Sequence, residues 1–359
     1  MTARTDEGTP PQEDRQAPPG LATAPSWAGP ALARVLARVA VTRTEVGDRF
    51  PLYADPGTGT WRTTARGSWT GGFWAGLLWL RARYTGDAAD RAVARACTAR
   101  LAGWAEADTA ARGLIFWYGT ALADDEPSLR DRAARACLND FVPELGLVPW
   151  GSAFGGPRLT ARVDGVPGMV PLLATANPEA ALSHLWRHVE LWLGARPPRW
   201  SWRHEPGAGW TACADPPPGW SRGRAWLLLS LAEAAPLAGG DEFLDHVGRL
   251  LTEHLVPPAD FAHPGGPCDT SAAAVTALAL LGLGHRDRAV AVLKALVDNH
   301  LTADGRLLDG CYDLAAETAV RQELIWGDFF LAYALAVLTG LRGQDLRPDP
   351  FAARAAPPR

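Results

Sequence analysis

Paired helix-length segments restrict the fold of this chain more than any other feature. One member of each pair is apolar over most of its length and the other is rich in Ala and Arg, as in residues 73–87 and 88–104. A helix that is apolar nearly all round is buried, whereas a helix with one apolar face lies at a surface. Such pairs can close into a ring with the apolar helices inside. An α/α toroid is therefore favoured, with its pocket where the inner helices start, and a two-domain helical bundle is the alternative.

The predicted secondary structure is almost entirely helical, so the expected fold class is all-α. The predicted helices cover residues 28–44, 70–84, 87–105, 112–122, 126–140, 165–175, 179–195, 221–235, 241–253, 269–283, 286–300 and 324–340. Strand-like alternation is scarce, and the predicted β element is a hairpin on a loop at residues 200–213. We expect a disordered tail at residues 1–25, one helical domain at 26–341 and a C-terminal tail at 342–359.

The composition argues against several classes of protein. The net charge is −4 and no Lys/Arg block exists, so a nucleic-acid partner is not expected. No apolar run is long enough to span a membrane, and the polar, Pro-rich start lacks the apolar segment of a signal peptide. The five cysteines are scattered without a Cys-x-x-Cys pair, which predicts a cytoplasmic protein with free thiols. The 16 Trp residues fit a ring-stacking pocket as well as a large core.

The stretch Gly219–Glu233 combines a predicted buried helix with an unusual entrance. Trp220, Arg222, Arg224 and Trp226 occupy alternate positions at its start. A helix N-terminus favours anions through its free N–H groups and dipole, and an Arg side chain can bind a carboxylate bidentately. An indole face beside them suits the C–H face of a sugar ring. Alternatively, Trp226 belongs to the core and both arginines are solvated.

Four blocks of the sequence carry a resemblance to a known family. They are residues 49–80, which include GSWTGGFWAGLLWL, residues 219–226 with GWSRGRAW, residues 268–283, and residues 323–335. Together they resemble, in the same order, the signatures of the unsaturated glucuronyl hydrolases of glycoside hydrolase family 88 and its relatives. The resemblance implies an (α/α)6 barrel, a pocket of aromatic and acidic residues, and neither a metal nor a cofactor. The family has Gln where Arg224 stands, so this chain adds a cation there.

The implied chemistry is the hydration of a C4=C5 enol ether on an unsaturated uronic acid. In the family an Asp protonates C4, water adds at C5, and the hemiketal that results opens and expels the rest of the sugar. Asp164 matches the catalytic Asp, because Pro171, Leu172 and Leu173 follow it as in the family. The alternative is that Asp164 only caps a helix.

The family's second acidic group is missing from its usual place. Ala110 and Ala111 stand where the family has a His-Asp pair. Asp108 is the candidate that would replace the pair from a shifted loop. If the pair is gone without a substitute, activity on the usual substrate is in doubt.

Candidates for substrate binding lie in the same blocks. They are Trp69, Phe73, Trp74, Trp117, Trp220, Arg222, Arg224, Trp226, Asp269, Ser271 and Trp326. Trp69 and Phe73 are four residues apart and would share a helix face. One of the early aromatics is expected to stack on sugar, and the others to be core. Asp269 also fits a simple helix N-cap. His184 and His188 would share one face of a surface helix, where we expect them to be solvated.

Three functions stay open from the sequence. The first is a hydrolase of unsaturated uronyl glycosides with Asp164 as acid/base. The second is a diverged tailoring enzyme of secondary metabolism that uses the same pocket on an alkene or a sugar-bearing small molecule. The third is a non-catalytic carbohydrate-binding toroid. The expected partner is a small molecule or an oligosaccharide, without nucleic acid or membrane, and a monomer and a homodimer fit equally.

Overall fold

The computed structural model describes residues 24–123 and 127–341, which are mainly helical. The helices are α1 (Ala28–Val46), α2 (Gly71–Thr85), α3 (Ala88–Ala99), α4 (Tyr118–Thr120), α5 (Pro127–Asn139), α6 (Met169–Ala174), α7 (Pro178–Leu193), α8 (Ser221–Ala234), α9 (Val247–Leu250), α10 (Thr270–Gly282), α11 (Arg286–Asn299) and α12 (Ile325–Thr339). Each predicted helix coincides with one of these or with a shorter helical turn. Apart from positions 24 and 25, the predicted tails lie outside the described residues.

Helices that are buried nearly all round alternate along the chain with helices that bury one face. The π-helical segment Gly113–Trp117 and α4, together with α2, α6, α8, α10 and α12, are buried nearly all round. In contrast, α1, α3, α5, α7 and α11 bury one face. The cause is their composition, because α2 and α12 are mostly Ala, Leu, Phe, Trp and Gly, whereas α3 and α11 carry Arg and Asp on a solvated face. The predicted distinction between the two kinds of helix is confirmed.

The buried helices contact one another in a closed succession. The π-helical segment and α4 lie between α2 and α6, and α6, α8, α10, α12 and α2 follow as successive neighbours. Glycine allows the closest approaches. A Cβ atom on Gly72 would collide with the carbonyl oxygens of Leu114 and Ile115, and one on Gly113 would collide with the backbone of Met169. Side chains at these two positions would push neighbouring helices apart.

In the described part of the chain, two small antiparallel sheets modify the all-α prediction. The strands are β1 (Phe50–Ala54), β2 (Trp61–Thr64), β3 (Thr160–Arg162), β4 (Ser201–Glu205), β5 (Gly209–Ala212), β6 (Gly310–Asp313) and β7 (Thr318–Leu324). One sheet has the order β2-β1-β7-β6 and the other β3-β4-β5. The predicted hairpin at residues 200–213 is confirmed as β4 and β5. The four-stranded sheet was missed, and it pairs an early strand, β1, with a late strand, β7.

Candidate active site

A cavity of about 1080 Å³ opens where several buried helices begin. Trp69 lies just before α2, Asp164 lies before α6, and Trp220 is the N-cap of α8. The aromatic and charged residues of the lining are Trp69, Trp150, Phe154, Arg162, Asp164, Asp215, Trp220, Arg222, Trp226, Asp260, His263, Tyr312 and Asp313. This position agrees with the pocket predicted at the starts of the inner helices.

Asp164 lies on a short turn between β3 and α6. The strand ends at Arg162, a 3₁₀ turn spans Val163–Gly165, and Gly168 is the N-cap of α6. Arg162 Nε lies 3.1 Å from Asp164 Oδ1, and its Nη2 lies 3.4 Å from Oδ2. The Asp164 side chain is 21% exposed, and it caps neither the turn nor α6. The alternative that Asp164 serves only as a helix cap is therefore wrong.

Two buried histidines support this turn from one side. The Val148 N–H donates to His184 Nδ1 (3.1 Å), so Nε2 carries the proton and donates to the Gly165 carbonyl (3.3 Å). Nδ1 of His188 contacts the His184 carbonyl at 2.8 Å. Burial lowers the pKa of His184 well below its usual range and that of His188 to about 4. The prediction of a solvated pair is wrong. Both rings are buried and contact backbone groups, and a sequence pattern does not reveal such contacts.

A buried carboxyl supports the same turn from the other side. Glu233 on α8 is enclosed by the core, and the Tyr118 hydroxyl donates to its Oε1 at 2.5 Å. The Gly168 N–H donates to Oε2 at 2.8 Å. Burial raises the pKa of Glu233 to about 8, although both hydrogen bonds act in the opposite direction. The lone acidic residue in the apolar run of α8 is the sequence signal that could have revealed this site.

Arg222 lines the cavity, yet its guanidinium is bound by the protein. Nη1 donates to Asp269 Oδ2 and to the Cys311 carbonyl, both at 2.5 Å, and Nη2 donates to the Tyr312 carbonyl at 2.6 Å. The guanidinium carbon also lies 5.1 Å from the ring centre of Trp220 and 5.6 Å from that of Trp326. Arg222 thus joins the starts of α8 and α10 to β6.

The structure brings five of the sequence candidates to one cavity. Trp69, Asp164, Trp220, Arg222 and Trp226 all line it. The prediction that Trp220, Arg222 and Trp226 would share a pocket with Asp164 is confirmed. Trp226 is nevertheless fully buried in the main core, as the alternative for this residue held. The roles of these residues toward a ligand stay predictions.

The other aromatic candidates lie in the core instead of the lining. Phe73 is fully buried, edge-to-face with Trp69 at 6.1 Å between ring centres. Trp74 and Trp117 are also buried in the main core. Trp326 lies behind the cavity wall, 5.0 Å from Trp69 between ring centres. Neighbouring helices cover these rings. The expectation that the early aromatics other than one would be core is therefore met by Phe73 and Trp74, whereas direct sugar contact is wrong for Trp117 and Trp326.

The polar candidates outside the lining have structural partners. Asp269 is the N-cap of α10 and accepts hydrogen bonds from the Ser271 N–H (3.0 Å) and hydroxyl (2.6 Å). The N-cap alternative for Asp269 is therefore confirmed, and Ser271 is turned toward that cap. Arg224 points away from the cavity, where it donates to the Arg249 carbonyl and stacks on Phe261.

Asp108 lies outside the lining, at the base of the loop that carries Phe154. Its Oδ2 accepts from the Ser152 hydroxyl at 2.9 Å and lies 3.1 Å from Arg158 Nε. Partial burial raises its pKa, but these two partners outweigh that effect and lower the pKa overall. A carboxylate stabilised in this way is a poor proton donor. Ala110 is buried against Gly165, so the place of the family's acidic pair is apolar here.

Sequence reasoning missed Arg162, Trp150, Phe154 and Tyr312. Arg162 ends β3 and stands two residues before Asp164 on the following 3₁₀ turn, so a basic residue this close in sequence is the signal that could have indicated the pair. The three aromatics lie on loops or short strands that carry no periodic signal.

Further features bear on ligand classes. Among the described residues, no group of three His, Cys, Asp or Glu side chains is arranged to hold a metal ion. The helices of that part of the chain are also too short or too polar to cross a membrane.

Comparison with known proteins confirms the resemblance seen in the sequence. The unsaturated glucuronyl hydrolase of Bacillus sp. (strain GL1) is 26% identical over 345 residues, which cover 80% of this chain and 90% of that protein. Its crystal structure has a TM-score of 0.74 at 23% identity, over 86% of this chain and 96% of that one. A structure of UGL with dGlcA-Glc-Rha-Glc has a TM-score of 0.76 at 24% identity, over 85% and 95% of the chains. These structural likenesses are likenesses of fold. No protein-family model matches the chain.

Proposed function

We propose that this protein is a hydrolase of unsaturated uronyl glycosides and that Asp164 is its acid/base. The observation that carries the proposal is the position of Asp164, which faces a large aromatic cavity in a chain similar to an unsaturated glucuronyl hydrolase. Asp164 would donate a proton to C4 of the enol ether, and water would add at C5. The hemiketal then opens, and the aglycone leaves from C1.

An (α/α)6 barrel is the architecture that we infer for residues 26–341, as one domain. The alternation of buried and half-buried helices supports it, as does the closed succession of contacts from α2 to α12. In this architecture the starts of the inner helices surround one mouth, which explains how residues from distant blocks line the same cavity. The five free cysteines support the proposal of a cytoplasmic enzyme.

The aromatic side chains of the lining would bind the sugar rings. Trp69 and Trp220 are partly buried, so part of each indole is covered by protein and part faces the cavity. Aromatic faces are apolar and can cover the C–H face of a pyranose. Because no second carboxylate occupies the place of Ala110 and Ala111, we assign the proton transfer to Asp164 alone.

The decisive experiment offers the purified protein a set of unsaturated uronyl disaccharides and follows the loss of ultraviolet absorbance of the enol ether. Asp164→Asn should lower kcat by about 10²- to 10⁴-fold, because Asn keeps the shape but cannot donate the proton. The matched control is Asp298→Asn, which removes a surface carboxylate that pairs with Lys294 on α11, and it should behave like wild type.

Two outcomes would contradict the proposal in different ways. Wild type that is inert on every disaccharide would reject the activity and favour the tailoring enzyme or the binding protein. An active wild type with an unimpaired Asp164→Asn variant would show that another carboxylate is used. In that case Asp108→Asn is the next variant to assay, because Asp108 is the other acidic candidate.

A further inference from the structure

The basic side chains that line the cavity differ in their protein partners. Arg222 is buried and donates three hydrogen bonds to Asp269, Cys311 and Tyr312, which fix its guanidinium. His263 is mostly exposed and lies 3.2 Å from Asp260. The Arg222 guanidinium is thus held mainly by protein groups, and Nδ1 of His263 faces a carboxylate. Within the described lining, Arg162 is the remaining cationic side chain.

Arg162 lines the cavity, and its side chain is 24% exposed. Its guanidinium carbon lies 5.1 Å from the ring centre of Trp150, so one face is covered by an indole. Nε and Nη2 are directed at Asp164, while Nη1 lies 3.9 Å from the exposed Asp215. A planar fork that is stacked on an aromatic ring and already holds one carboxylate has the geometry to bind a substrate carboxylate bidentately in its place.

The Arg162–Asp164 ion pair also presents a chemical problem. The Arg162 guanidinium holds both oxygens of Asp164, whereas alkene protonation needs this carboxyl to face the substrate carbon. A uronate substrate brings its own carboxylate, attached at C5, next to the carbon that receives the proton. If this carboxylate takes over the guanidinium, the oxygens of Asp164 are released from the ion pair.

We propose that Arg162 is the receptor for the substrate's uronate carboxylate and that binding exchanges the Arg162–Asp164 ion pair for an Arg162–substrate pair. The exchange leaves the Asp164 carboxyl beside the alkene and no longer bound by the guanidinium. This inference rests on the proposed function. It makes Arg162 a specificity-determining residue that selects uronates over neutral sugars.

The test compares an unsaturated uronyl disaccharide with its uronate methyl ester, using the enol ether absorbance for both. Wild type should prefer the free acid by about 10- to 100-fold in kcat/KM, the range of a charge-assisted bidentate pair. In Arg162→Gln this preference should fall to one or below, because the ester never used the guanidinium. A merely structural role would slow both substrates alike and leave the preference unchanged.

Arg203→Gln is the matched control. Arg203 lies on the neighbouring strand, pairs with Glu205 two residues later, and is about half exposed outside the cavity lining. It should keep the wild-type preference. Should Arg162→Gln not fold, as judged by circular dichroism and thermal melting, Arg162→Lys replaces it. That variant should lose the preference severalfold, since an ammonium lacks the planar fork.

The possible results distinguish a failure of this inference from a failure of the proposed function. A wild type without preference for the acid, or an Arg162 variant that keeps the wild-type preference, overturns the inference while the hydrolase stands. Absence of turnover on both substrates by wild type overturns the proposed function and this inference together.

Discussion

Glu233→Gln should change the pH dependence of stability, because Glu233 is a buried acid whose protonation differs between the folded and unfolded states. Its pKa rises from 4.5 to about 8 on folding, and the cause is desolvation by the surrounding core. At neutral pH the folded state keeps the proton and the unfolded state releases it. The stability contributed by this proton is complete below the unfolded pKa and is lost as pH rises through the folded pKa.

The size of the effect follows from the shift. One pKa unit corresponds to about 1.36 kcal/mol, so a group that titrates at 4.5 unfolded and about 8 folded costs wild type roughly 3–4 kcal/mol between pH 5 and pH 8. A domain is stable by only about 5–15 kcal/mol in total, so the loss is large. The amide of Glu233→Gln does not titrate, and it can accept from the Gly168 N–H and donate to the Tyr118 oxygen.

Urea unfolding of both proteins at pH 5, 6, 7 and 8 measures this difference. The free energy of unfolding of Glu233→Gln relative to wild type should rise by roughly 3–4 kcal/mol across the series. Asp328 and Glu323, whose pKa values burial also raises, are present in both proteins and cancel in the difference. Glu190→Gln is the surface control. A constant difference between Glu233→Gln and wild type would refute the reasoning.

Two further substitutions test the packing of the site and of the helices. Arg222→Met should lower the free energy of unfolding by about 3–5 kcal/mol, because Asp269 would be left buried without its cation; a small change in a urea titration would contradict the proposed role of Arg222. Gly72→Ala should cost about 1–3 kcal/mol or more through collision with the Leu114 carbonyl, measured by thermal melting. Gly29→Ala, where a Cβ meets open space, is its control and should be nearly neutral.

The helices were predictable because their signal is local. The apolar run of α8 and the breaks around it define both ends within the sequence, and the observed helix, Ser221–Ala234, differs little from the predicted 221–235. The four-stranded sheet was not predictable in the same way. In β7, Ala319 and Arg321 have positive φ angles that interrupt regular alternation. Its partner β1 lies far away in the sequence, so the residues near either strand do not indicate that the two strands pair.

The site was predictable in its location but not in its polar partners. Family-like blocks placed Asp164 and Trp220 near each other, and they line one cavity. The sequence could not show that Arg222 is bound by backbone carbonyls, because any residue supplies a carbonyl. The burial of His184 could not be predicted for the same reason, because its ring contacts the backbone of Val148 and Gly165.

The buried contacts around the Asp164 turn determine which part of the site can move. His184 holds the Gly165 carbonyl and Glu233 holds the Gly168 N–H, so the backbone on the C-terminal side of Asp164 is bound from two directions. On the N-terminal side, Arg162 is part of β3 and pairs with β4. A ligand that entered the cavity would therefore meet a fixed backbone, and rearrangement would be confined to the Arg162 and Asp164 side chains. An exchange of ion pairs is compatible with this arrangement, whereas a mechanism that needs the turn to shift would have to break two buried hydrogen bonds.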